Sequence, residues 1–144
     1  MIGMSGRTFI DTNVLIYAHD KDAGVKNESA KAHLRALWSE RTGVLSVQVL
    51  QEFYVNVTRK IASPLSRDAA RRVVNSYAIW CGETTPAEVS AAFRIEDESG
   101  IGFWDALIVS CAVKSGATRI FSEDLNNGQR IAGIVVENPF AGLP

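Results

Sequence analysis

The sequence predicts an α/β fold, a parallel sheet covered by helices on both faces. Short apolar runs suited to doubly buried strands alternate with longer helical segments along the chain. No internal repeat, linker or low-complexity tract breaks the alternation. At 144 residues the chain is long enough for one sizeable core, so a single domain spanning 1–144 is expected.

Thr8-Phe9-Ile10 reads as a short buried strand, and Val14 to Ala18 as a helix-like or irregular apolar turn. Asn27 to Glu40 reads as a helix with Ala30, Leu34, Leu37 and Trp38 on one face. Val44-Leu45-Ser46 is the second strand, and Val47 to Lys60 a helix whose apolar side carries Leu50, Phe53, Tyr54 and Val57. After the turn Ser63-Pro64-Leu65-Ser66, Ser66 caps a helix bearing Ala69, Val73, Val74 and Tyr77. Ala78 to Cys81 is read as a third strand. Thr85-Pro86-Ala87-Glu88 has the form of a capping box with proline at the first helical position, opening a helix to about Glu98. Phe103 to Lys114 is a further helix, closed by Ser115-Gly116. Thr118 to Phe121 and Ile134 to Val136 are the last two strands.

Hydrophobic residues make up 47% and charged residues 22%, which excludes a disordered chain. The net charge of −1 and pI near 6.1 exclude a globally basic nucleic-acid binder; such binding would need a local basic patch or bound cations. Cys81 and Cys111 lack metal-binding spacing and suggest buried thiols in a reducing compartment. His19 and His33 lack zinc-motif spacing. No apolar run reaches membrane-spanning length, so no membrane partner is expected. Residues 1–7 lack the features of a secretory signal, and a cytoplasmic location is expected.

Four carboxylates stand apart. Asp11 ends the first strand and Asp124 follows the strand at Phe121; in a parallel sheet such positions share a crevice at the strand ends. Asp105 lies in the first turn of an apolar helix, where it either complements the helix dipole or has a charged partner. Glu52 follows the second strand through a short helix start; it is either a solvated helix residue or a fourth member of the crevice. Four clustered carboxylates require compensating positive charge, and no lysine or arginine adjoins Asp11 or Asp105. A hard divalent cation, Mg2+ or Mn2+, suits an all-carboxylate site better than zinc. Thr12 and Asn13 either cap the following turn or hold a carboxylate or bound water. Asn126 reads as a turn residue or a water contact, Trp104 as core, and Glu96-Asp97-Glu98 as a solvated helix end.

At these residues the chain resembles the PIN domain family. The stretches Phe9-Ile10-Asp11-Thr12-Asn13, Gln51-Glu52-Phe53, Phe103-Trp104-Asp105-Ala106-Leu107-Ile108 and Ser122-Glu123-Asp124-Leu125 look like its four acidic motifs, in order and across nearly the whole chain. The likeness is greatest to the VapC-type toxins of toxin–antitoxin pairs. The resemblance implies a three-layer α/β/α fold with strand order 3-2-1-4-5. It places the metal-binding acids at Asp11, Glu52, Asp105 and Asp124, with Thr12 as the hydroxyl neighbour. It implies metal-dependent endonucleolytic cleavage of RNA to a 5′-phosphate and a 3′-hydroxyl. It also implies a homodimer, and a cognate antitoxin whose C-terminal segment lies in the groove leading to the acids. Many relatives carry an aspartate where this chain has Asn126, which argues against a second tightly bound ion.

The expected arrangement is one divalent ion on Asp11, Asp105 and Asp124, with Glu52 joining directly or through water. Arg59, Lys60, Arg67 and Arg71 are candidates for RNA backbone contact, with a solvated surface as the alternative; Arg67 and Arg71 share a helix face. Two other functions compete. One is a PIN-like module that binds RNA or protein with little or no turnover. The other is a magnesium-dependent phosphatase of the haloacid dehalogenase type, which would carry a second aspartate where this chain has Asn13.

Overall fold

In a computed structural model describing residues 6–144, the first strand, β1, spans Arg7–Ile10. The first five residues of the stretch read for a secretory signal lie outside the described residues. Asp11 caps α1 (Thr12–Ala18), so the apolar segment after the strand is a true helix, with Val14, Leu15, Ile16 and Ala18 buried. A 3-10 turn (Lys21–Ala23) leads into α2 (Val25–Glu40), then β2 (Gly43–Ser46), α3 (Val47–Arg59) and α4 (Arg67–Tyr77). The Ser66 hydroxyl caps α4 by accepting from the amide of Ala69 at 3.1 Å.

The expected third strand is shorter than its apolar sequence suggests. Ala78–Trp80 continues α4 as a 3-10 turn, and β3 is Cys81–Gly82 alone. Packing explains the correction: Trp80 turns inward against Tyr77 and Trp38, with ring centroids at 5.4 and 4.9 Å. Beyond it come α5 (Pro86–Ser99), α6 (Phe103–Lys114) and β4 (Ala117–Phe121). The capping box forms as read, with the Thr85 amide donating to Glu88 Oε1 at 2.7 Å.

The chain ends its sheet with β5 (Arg130–Ile131) and β6 (Ile134–Glu137), giving the order β3-β2-β1-β4-β6-β5. The first five strands of that order are parallel and reproduce the expected 3-2-1-4-5 arrangement. Two-residue β5 is an antiparallel edge that the sequence reading lacked. Its turn, Ala132-Gly133, has positive φ at both residues (51° and 83°), a geometry that alanine does not advertise.

From β1 the chain steps outward twice, to β2 and then β3, and right-handed crossovers place α1 through α4 on one face. The return from β3 to β4 reverses direction and puts α5 and α6 on the other. The reversal lies between β1 and β4, which opens a crevice beyond their carboxyl ends. The core is built from Phe9, Ile10, Leu45, Ile120 and Phe121 on the sheet, with Leu15, Val49 and Phe53 against it. Helix α6 is buried from Ala106 through Ala112, as a helix apolar around its circumference should be. Cys111 is buried and Cys81 half-buried, and both are free thiols. Among the described residues, no helix is long and apolar enough to cross a membrane.

Candidate active site

Parallel pairing sets Ile10 beside Phe121, so the residues that leave β1 and β4 emerge together. The Asp11 amide donates to the Phe121 carbonyl at 3.0 Å, and the Ser122 hydroxyl donates to Asp11 Oδ2 at 2.8 Å. Asp11 Oδ1 accepts from the Thr12 amide at 2.7 Å. The next two residues reach outward. Thr12 Oγ1 donates to Glu52 Oε1 at 2.6 Å, and Asn13 Nδ2 donates to Asp124 Oδ2 at 2.9 Å. Three consecutive residues therefore fix carboxylates contributed by β1, α3 and the loop after β4. The fourth acid, Asp105, sits half-buried in the first turn of α6 and has no hydrogen-bond partner among the described residues.

All four acids line one cleft of about 470 Å³, together with Thr12 and Asn13. Burial pushes the Asp11 carboxyl up to about 6, against the opposing pull of the Ser122 and Thr12 bonds. The charges of Asp124 and Asp105 push the same way. Asp105 is also raised, first by burial and then by Asp124 and Glu52. The cleft thus holds more negative charge than its lining offsets, and its described lining includes the cation Lys60 but no histidine or cysteine. An all-oxygen, electron-rich donor set of this kind fits a hard cation. Among the described residues, no group of three or more Asp, Glu, His or Cys forms a ready metal cage. The acids share a cleft, with Glu52 and Asp124 each tethered by its own hydrogen bond.

Other expected residues divide. Lys60 lines the cleft, whereas Arg59 and Arg67 are exposed elsewhere, and the Arg71 guanidinium lies 6.0 Å from the Tyr54 ring centroid. Asn126 is exposed outside the lining, with its carbonyl accepting from the Gln129 amide at 3.1 Å in a turn. Trp104 is not core: it is 65% exposed at the cleft wall. Helix α6 enters the interior at Ala106, so its first turn projects, and the Trp104 ring rests edge-on against Phe103 with centroids 5.1 Å apart.

Three contributors went unread. Ser122 lies within an acidic motif without being an acid; its signal is its position one residue past β4, matching that of Asp11 past β1. Gln48 lines the cleft, and its buried Oε1 has no partner. Glu123 accepts from the Tyr17 hydroxyl at 2.7 Å and pairs with Lys26, which ties the loop carrying Asp124 to α1 and α2.

The sequence profile of the PIN domain matches residues 8–133. A search of curated proteins gives no significant match. Among solved structures, the fold is similar to that of a toxin–antitoxin complex from Klebsiella pneumoniae, with 16% identity over 92% of this chain and 97% of that one and a TM-score of 0.68. It is similar to VapBC2 from Rickettsia felis bound to a DNA fragment from their promoter, with 20% identity, 91% and 97% coverage and a TM-score of 0.64. It is similar also to FitAB bound to an IR36 DNA fragment, with 19% identity, 92% and 95% coverage and a TM-score of 0.67. At these identities the likeness is one of fold. The profile match extends from β1 to the turn before β6, and with it the chain belongs to the PIN domain family.

Proposed function

We propose that this protein is a divalent-metal-dependent endoribonuclease and the toxin of a toxin–antitoxin pair. Members of its family are generally metal-dependent nucleases. The observation that carries the reading is the Asp11-Thr12-Asn13 segment, which gathers its own carboxylate, Glu52 and Asp124 around the cleft that Asp105 also lines. Asp11, Asp105 and Asp124 would hold one Mg2+ or Mn2+, with Glu52 joining directly or through a water. When bound, the ion neutralises phosphodiester charge and lowers the pKa of a water.

The chain's own groups do the positioning. Ser122 and the Thr12 amide hold Asp11 in one orientation, Thr12 orients Glu52, and Asn13 orients Asp124. Asp105 keeps its lone pairs unengaged. The expected products are a 5′-phosphate and a 3′-hydroxyl. Likeness in fold to components of toxin–antitoxin complexes supports a cognate antitoxin as partner; a homodimer is proposed from the family resemblance alone.

Purified protein, free of antitoxin, is to be incubated with labelled single-stranded and structured RNAs, with magnesium or manganese present or chelated. Asp105→Asn runs alongside. Cleavage should require both the cation and Asp105, with a loss of at least 100-fold in the variant. Undiminished cleavage by the variant, or in chelator, sinks the reading. A second reading, an RNA- or protein-binding module of little turnover, is favoured by the exposed Trp104 and by the amides of Gln48, Gln51 and Asn56 on the cleft wall. It predicts retained RNA or protein binding without cleavage.

A further inference from the structure

Trp104 is the largest exposed side chain on the cleft wall, and packing within the protein does not account for it. Its ring is held rather than loose: Phe103 meets it at 72°, and Phe103 rests in turn on Phe93 with centroids 5.7 Å apart. The result is a braced aromatic surface beside Asp105. The α3 side of the cleft offers Gln48, Gln51, Asn56 and Lys60, three amides and one cation, around the exposed Val55. A cleft with four acids repels a bare phosphate backbone, so part of the grip on a nucleic acid has to be uncharged. Stacking supplies it, because every base has a π-face.

We infer that Trp104 is a stacking platform for an unpaired base of the RNA lying next to the cleft. The inference rests on the ribonuclease reading and deepens it. A base held within a duplex has both faces covered and cannot use the ring. Val55 and, behind Phe103, Phe93 are exposed apolar neighbours, but the amides of Gln48, Gln51 and Asn56 and the Lys60 cation in the same cleft offer hydrogen-bond partners and charge that suit a nucleotide better than a second copy of this chain.

The test measures binding apart from turnover. An unstructured 12-nucleotide RNA carrying 2-aminopurine at successive positions, and its duplex, are titrated with Asp105→Asn protein in magnesium. The same background is then combined with Trp104→Ala or Trp104→Phe. Thermal melts check that each variant folds, and sedimentation measures oligomeric state. Binding should quench 2-aminopurine at one or two positions. Trp104→Ala should abolish that quenching and weaken single-strand binding roughly 10-fold, Trp104→Phe should largely restore both, and duplex binding should be weak and unchanged.

Equal single-strand binding by Trp104→Ala overturns the inference. So does a shift of Trp104→Ala from dimer to monomer with RNA affinity unaltered, which would give the ring to a second copy. If wild-type protein cleaves RNA and Trp104→Ala cleaves it equally well at subsaturating RNA, the inference falls while the ribonuclease reading stands. If quenching depends on Trp104 but wild-type protein does not cleave, the platform stands and the ribonuclease reading falls. If no RNA binds, both fall.

Discussion

Ser122 serves three groups with one hydroxyl. It donates to Asp11 Oδ2 and accepts, at 3.3 Å each, from the amides of Asp124 and Leu125. Removing it leaves a buried carboxylate short of one donor and two backbone amides short of an acceptor. Ser122→Ala should therefore raise the Asp11 carboxyl further above 6 and cost roughly 1–3 kcal/mol of stability at pH 7. The cost should shrink at pH 5, where Asp11 is protonated and needs the bond less. Denaturant unfolding at the two pH values measures the difference, and the acid limb of any cleavage profile should move to higher pH. Trp104 shows the reverse limit of single-residue reading: an aromatic side chain within an apolar motif looks like core, and only the entry point of α6 into the interior sets it outside.

At the level of elements, caps were legible because their chemistry is local. Ser66, Thr85 and Glu88 each satisfy a helix amide within three residues, so neighbouring letters suffice to find them. Strand β3 was not legible, because Ala78-Ile79-Trp80 has a strand's composition and the outcome is decided by Trp80 packing on Trp38 and Tyr77, side chains distant in sequence or on the preceding helix. The same packing constrains β2 from below. A Cβ added at Gly43 would stand 2.8–2.9 Å from the six-membered ring of Trp80, which Trp38 and Tyr77 flank. Gly43→Ala should destabilise the fold by about 1–3 kcal/mol, read as a lower denaturation midpoint with an unchanged slope. The four acids are legible as candidates from their place at strand ends and helix starts. Their tethers through Thr12, Asn13 and Ser122 follow from side-chain reach across the β1–β4 and β1–β2 pairings, which spacing alone does not encode.

For the whole molecule, strand order makes the site and the charge in it sets a pH dependence. Folding raises the Asp11 carboxyl from 3.8 to about 6. The associated stability is fully present below pH 3.8 and is lost as pH rises through 6, a deficit of about 3 kcal/mol at neutral pH without a cation. Magnesium should offset it. Millimolar MgCl2 is expected to raise the melting temperature at pH 7.5 and to do so far less at pH 5, where protons compete for the same oxygens. An equal effect at both pH values would place magnesium elsewhere. The β1–β4 pairing has one more consequence, for the order in which the cleft assembles during synthesis. Asp11 and Asn13 leave the ribosome 111 residues before their respective partners, Ser122 and Asp124. A nascent chain, or one terminated before β4, has the first acid and its neighbours without the side chains that aim them. It also leaves an edge of β1 unfilled where β4 should lie. The four acids thus come together only once β4 and the loop after it are made, and copies that stop before β4 lack Asp124 altogether.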